Sequence, residues 1–274
     1  MAHPTWNGLA ALLAVALVSC RALVGIADLT VADAAGPAAD ASDEDAGAAD
    51  AAPDAAGFFC KTDGAAHLFC ADFDESPSVT AGWDHEQLAG GATLALDEAL
   101  SVSRPASAHS HLLATDGGSE MVGALEKLFA SHATSVKLAY DLYVDPACAA
   151  ESPIALSNVQ LSPVDAIQVG LTPTGYAGLF IYDATVQTVT LQGQQAFAAG
   201  VWTHLELDIV LASDAGAATI HVNGSSVPVP FVPSGQAFGA GAECDLTVGP
   251  FSDLPRAICD VHYDNVTFDE QTGP

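Results

Sequence analysis

The chain has 274 residues, half of them hydrophobic and 15% charged, and carries a net charge of −28 from 34 acidic and 6 basic residues. Binding phosphate requires clustered cations, so nucleic acid is excluded as a partner, and the same negative field disfavours anionic polysaccharides. Neutral glycans, cations and extracellular proteins remain.

Met1 to Gly8 is short and polar, and Leu9 to Val18 is an unbroken apolar run. The run falls short of the roughly 20 residues that span a bilayer and fits a cleaved signal peptide. Leu17-Val18-Ser19-Cys20 resembles the lipobox of bacterial lipoproteins, although no Lys or Arg precedes Arg21. The resemblance implies that residues 1–19 are removed and Cys20 is lipidated. With no Asp after Cys20, it implies an exported protein at the cell envelope, anchored in the outer membrane. Residues 20–57 follow as an acidic, Ala-rich stretch. From Asp28 to Gly57 it holds no Lys, Arg or aromatic residue, and Gly36, Pro37, Gly47 and Pro53 interrupt any helix. Such a segment cannot bury enough apolar surface to offset its ordering entropy, so a disordered tether is expected.

Residues 58–274 suffice for one domain with a sizeable core. Strand-like runs recur through it, separated by Gly, Pro, Asp and Asn. His67 to Phe73, Thr93 to Leu96, and His111 to Thr115 come first. Glu120 to Ala130 has a helix-compatible composition, but its surroundings favour a strand. Thr134 to Val144 is the clearest, with Val136, Leu138, Tyr140, Leu142 and Val144 on one face. Ile154 to Leu161, Ala166 to Thr172, Gly175 to Tyr182, and Val186 to Leu191 follow. In Val201 to Leu211 the apolar Leu205, Leu207, Ile209 and Leu211 alternate with His204, Glu206, Asp208 and Val210. Thr219 to Val222 leads into Asn223-Gly224, a two-residue hairpin signal. Val227 to Phe231, Leu246 to Val248, and Ile258 to Phe268 complete the set. The spacing predicts an all-β fold, a sandwich or a barrel.

Beyond Cys20 there are five Cys in what export makes an oxidising setting. Cys60 with Cys70, and Cys244 with Cys259, are the expected disulfides, and Cys148 is left over. No Cys-x-x-Cys marks a zinc site. The His109-x-His111 pair would place both rings on one side of a strand, but the sequence identifies no further ligands for a metal there.

The order of motifs resembles the concanavalin A-like lectins and glucanases, including laminin G-like modules. An entry strand Phe69-Cys70-Ala71-Asp72-Phe73-Asp74 comes first, then the Trp202-led strand and its Asn223-Gly224 hairpin. Leu246-Thr247-Val248-Gly249 follows, and Val261-His262-Tyr263-Asp264-Asn265-Val266-Thr267-Phe268 ends the series. The resemblance covers most of Phe58 to Asp269. It implies a two-sheet antiparallel jelly-roll sandwich. It also implies structural Ca2+ where the first and last strands meet, with Asp72, Asp74 and Asp264 as ligands.

Laminarinase-like members use a Glu-x-Asp-x-(x)-Glu strand with two carboxyls about 5 Å apart. Here Glu206-Leu-Asp208 runs on to Leu211 and lies on the later, hairpin-leading strand, while Ile154 to Asp183 offers only Asp165 and Asp183. Polysaccharide lyases of this fold use Arg, Lys, His and Tyr on uronates, and this chain has no Arg-rich strand. No Gly-x-Ser-x-Gly elbow supports Ser-His-Asp hydrolysis. With no paired catalytic acids, the expectation is non-catalytic binding of a neutral carbohydrate or another extracellular ligand. The expected binding residues are Lys137, Asp141, Tyr143, Tyr182, Asp183, Glu206 and Asp208. The alternatives are a divergent glycoside hydrolase and a structural or protein-interaction module of the envelope.

Overall fold

A computed structural model describes residues 58–272, except 64, 114–119, 131–132, 149–152, 162–164, 184–187, 211–215, 232–242 and 253–257. The expected signal peptide, Cys20 and tether lie outside these residues.

The elements run α1 (Phe59–Thr62), β1 (Phe69–Ala71), β2 (His85–Ala89), β3 (Thr93–Asp97), β4 (Ser107–Leu112), β5 (Met121–Ala130), β6 (Ala133–Val144), β7 (Ile154–Gln160), β8 (Asp165–Leu171), β9 (Tyr176–Asp183), β10 (Thr188–Ala196), β11 (Thr203–Val210), β12 (Gly216–Val222), β13 (Ser225–Phe231), β14 (Glu243–Ser252) and β15 (Cys259–Thr272). They form two antiparallel sheets. The eight-stranded sheet has the order β13-β12-β11-β6-β15-β4-β3, with β1 added along β15; the seven-stranded sheet has the order β10-β9-β8-β7-β14-β5-β2.

Period-two alternation explains how the sheets stack. β6 turns Val136, Leu138, Tyr140, Leu142 and Val144 inward, and β11 turns Leu205, Leu207 and Ile209 the same way. The facing sheet contributes Ile154, Leu156, Val159, Ile167, Val169 and Leu179. Burying one such side chain stabilises the fold by about 1.5–3 kcal/mol. Two tyrosines span the gap between the sheets. The Tyr140 hydroxyl bonds Ser157 Oγ at 3.0 Å, and the Tyr263 hydroxyl donates to the Leu156 carbonyl at 3.1 Å. Asn223 (φ 48°) and Gly224 (φ 80°) form the expected hairpin, with Val222 opposite Ser225.

The helix-compatible Met121–Ala130 is the expected strand, and β14 and β2 pair with it on either side. Two expectations change. First, β2 carries no apolar signal because it is an exposed edge, and β4 begins at Ser107 rather than at His111. Its alternation is hidden because Ser107 and Ser110 are buried, Ser107 donating to the Leu100 carbonyl and Ser110 to that of Gly123.

Second, Cys148 is not left over. It bonds Cys259, while Cys60 bonds Cys70 as expected. The end of β6 lies against the start of β15, where the Asp145 amide donates to the Asp260 carbonyl at 2.9 Å. That contact brings the two Cα atoms to 4.2 Å, so Cys259 is unavailable to Cys244. The side chain of Cys244 lies outside the described ones.

Candidate functional site

The expected binding residues divide between the two sheets. Lys137, Asp141 and Tyr143 project from β6, and Glu206 and Asp208 from β11, onto the outer face of the eight-stranded sheet. Tyr182 and Asp183 belong to β9 in the other sheet and cannot join them; their side chains lie outside the described ones.

The β6/β11 group is a lattice of mutually satisfied charges. Lys137 Nζ lies 2.6 Å from Glu206 Oε2. His204 Nδ1 and Asn265 Nδ2 each contact Asp141 at 2.8 Å, and His221 Nε2 lies 3.0 Å from Asp208. The Lys137 hydrogen bond holds Glu206 below the usual carboxylate range, and Asp141 lifts His204 above its usual value. A hydrolase needs one carboxyl protonated near neutral pH. Glu206 is pushed the opposite way. Asp264 is pushed up to about 7 by burial, but it is fully enclosed and so beyond the reach of a substrate.

The expected calcium ligands Asp72, Asp74 and Asp264 are engaged by loops. Asp264 Oδ2 accepts from the amides of Val102 and Ser103, and Oδ1 from the Ser103 hydroxyl and the Asn265 amide. Asp74 Oδ1 accepts from the Ala106 amide, and Asp72 from the amides of Cys60 and Asp74. A hard cation would compete with these bonds, whereas the buried Asp74 Oδ2 has no hydrogen-bond partner.

A different group emerges on the outer face of the seven-stranded sheet. Strand register places His85, Glu126, Thr247, Asn158, Gln168 and Phe180 in one row across β2, β5, β14, β7, β8 and β9. Asn158 is 7% exposed and Gln168 3% exposed. Asn158 Oδ1 and Gln168 Nε2 have no hydrogen-bond partner. One is an acceptor and the other a donor, on adjacent strands and facing away from the core. Leaving such groups unpaired costs about 1–3 kcal/mol each.

At the end of the row, the Phe180 ring lies against Gly170. A Cβ at position 170 would overlap that ring, so glycine is what lets the aromatic lie close to the sheet. Gln87 donates to Glu126 at 2.8 Å at the other end. No described Lys or Arg enters the row: Lys61 pairs with Glu75, Lys127 with Asp84, Lys137 with Glu206, and Arg104 precedes Pro105 in an exposed loop. Sequence reasoning overlooked both amides. The available signal was an amide in the interior of each of two largely apolar strands, Ile154–Gln160 and Asp165–Leu171.

No protein-family model matches the sequence, and no curated protein does. Solved structures share its architecture. An endo-β-1,4-glucuronan lyase from the fungus Trichoderma reesei superposes with a TM-score of 0.59 at 12% identity, over 75% of this chain and 96% of that one. A carbohydrate esterase from a Shiga toxin-encoding bacteriophage gives 0.52 at 13% identity, over 75% and 99%. The cellulose-induced protein Cip1 gives 0.51 at 12% identity, over 74% and 97%. At these identities the likeness establishes the fold alone, a two-sheet antiparallel jelly-roll sandwich.

Proposed function

We propose that this protein recognises a neutral polysaccharide, without cleaving it, on the outer face of the seven-stranded sheet. The unpaired Asn158 Oδ1 and Gln168 Nε2 carry the reading. Both atoms are covered in this structure. Sugar hydroxyls both donate and accept, so a residue that displaces their cover would satisfy both and offset the cost of leaving them buried. Phe180, itself buried, closes the end of the row beside them, and the half-buried Thr247 brings a further hydroxyl. The absence of a described cation from the row favours a neutral ligand over a uronate, whose carboxylate would need neutralising. The structural neighbours, a glucuronan lyase and a carbohydrate esterase among them, support a carbohydrate ligand.

The protein is read as held at the cell surface through lipidated Cys20, on the tether of residues 20–57. Palmitate labelling that survives Cys20→Ala would sink that part.

The binding test is a glycan array carrying neutral and acidic oligosaccharides, probed with the intact protein with and without Ca2+. Binding to a neutral glycan that falls at least about tenfold in Asn158→Ala/Gln168→Ala, one lost hydrogen bond being worth about 1.4 kcal/mol, is the expected result. Binding only to uronates, no binding at all, or binding indifferent to that double substitution would each overturn the reading. Release of an unsaturated or shortened sugar would show instead that the protein is an enzyme.

A further inference from the structure

We propose that Asp97, His109 and His262 form a binding site for one divalent transition-metal ion of the zinc type. The site lies on the outer face of the eight-stranded sheet, away from the amide row. Strand pairing builds it: His262 on β15 is directly opposite His109 on β4, and His109 is opposite Ala95 on β3. Asp97 is two residues beyond Ala95 and therefore on the same face.

One ligand atom from each of Asp97, His109 and His262 lies within 4.8 Å of the other two. Four ligands at about 2.0–2.1 Å from a tetrahedral ion are separated from one another by about 3.3 Å. His262 Nδ1 and Asp97 Oδ2 are already 3.6 Å apart. Only His109 has to close in. Its ring stacks on that of His262, with centroids 4.3 Å apart and planes inclined by 7°, so one ring must tilt for both lone pairs to meet at an ion. Ala95 opposite His109 extends no further than its Cβ and leaves room for the tilt.

The surroundings suit a metal. Asp260 Oδ1 contacts His109 Nε2 at 2.7 Å and His111 Nδ1 at 2.8 Å. A carboxylate behind an imidazole is the usual support of a metal-ligating histidine; it directs the proton to Nε2 and leaves the lone pair on Nδ1. Ser107 Oγ lies 3.4 Å from His262 Nδ1, and the rings of Tyr143 and Trp202 flank His262 at 5.7 and 6.5 Å. Asp97 and Asp260 add negative charge that an incoming dication would neutralise. Two imidazoles and one carboxylate match Zn2+, Ni2+ or Cu2+, and supply too few oxygens for Ca2+. The fourth position would be held by water or an external ligand.

The test is calorimetric titration of the metal-stripped intact protein, made without a histidine tag, with Zn2+ alone at neutral pH. One equivalent should bind. His109→Gln and Asp97→Asn, both at half-exposed positions, should each weaken binding more than about 100-fold, and Asp260→Asn by about 10–100-fold. His67→Ala is the control and should leave binding unchanged, because both ring nitrogens of His67 are held by carboxylates. Titration of the Co2+ form should give a visible ligand-field spectrum that is lost in His109→Gln. Circular dichroism of each variant separates lost binding from lost folding, and ellipticity unchanged from the parent is expected for both key variants. Absence of saturable binding in the parent protein, or binding that survives His109→Gln and Asp97→Asn, would overturn the proposal.

Discussion

The Cys148–Cys259 bond closes a loop of 111 residues, and the Cys60–Cys70 bond one of 10. Cross-linking removes unfolded-state entropy in proportion to the logarithm of loop length, giving about 4.8 kcal/mol for the long loop and about 2.7 kcal/mol for the short one. Replacing Cys148 and Cys259 together by Ser should therefore destabilise the domain about 2 kcal/mol more than replacing Cys60 and Cys70. At a urea dependence of about 3 kcal/mol per molar, the midpoints should fall by about 1.6 M and about 0.9 M. Equilibrium unfolding followed by tryptophan fluorescence measures both, and non-reducing peptide mapping identifies the partners. Recovery of Cys259 in a peptide linked to Cys244 would refute the connectivity. Equal midpoint shifts for the two double variants would refute the loop-entropy argument.

Further expectations concern the core, the sheet faces and pH. Leu207→Ala removes a side chain 1% exposed between the sheets and should cost about 2–5 kcal/mol in urea unfolding. Tyr140→Phe strands the buried Ser157 hydroxyl and should cost about 1–2 kcal/mol, largely recovered when Ser157→Ala is added. Gly170→Ala should displace Phe180 and weaken glycan binding on the array, and unchanged binding would separate that ring from the ligand. Asp141 raises the folded value of His204 above its unfolded one, so its stabilisation is complete below about pH 6.5 and is lost as pH rises through the folded value. Because His204 is exposed, the change should stay below about 1 kcal/mol. His204→Gln should flatten that part of the stability profile, and a slope identical to that of the parent would show that the pair contributes nothing.

Much of the sandwich was legible along the chain. The alternation in Thr134 to Val144 and in Val201 to Leu211 assigned the inward faces of β6 and β11 residue by residue, and Asn223-Gly224 marked their neighbouring hairpin. Where burial is polar or pairing comes from distant segments, the pattern was silent. β4 hides two buried serines, β2 is an exposed edge, and β5 is a strand only because its neighbours require one. The expected Cys244–Cys259 bond failed for a related reason, while Cys60–Cys70 formed as expected. Nearness in sequence favoured Cys244 as the partner of Cys259, but β15 inserts beside β6 and brings Cys148 across 111 residues.

The site residues divide along the same line. Period-two alternation is a property of each strand, so the sequence alone determined that Lys137, Asp141 and Tyr143 share the outward face of β6, and Glu206 and Asp208 that of β11. Which strands lie side by side is decided by non-local pairing. Only the tertiary structure placed Tyr182 and Asp183 in the opposite sheet and committed Asp264 to loop amides. It also aligned Asn158 with Gln168 and carried Asp97 and His262 to either side of His109. A single residue's type and phase are written in the chain. Its neighbours across a sheet are set by the global packing that satisfies every strand at once.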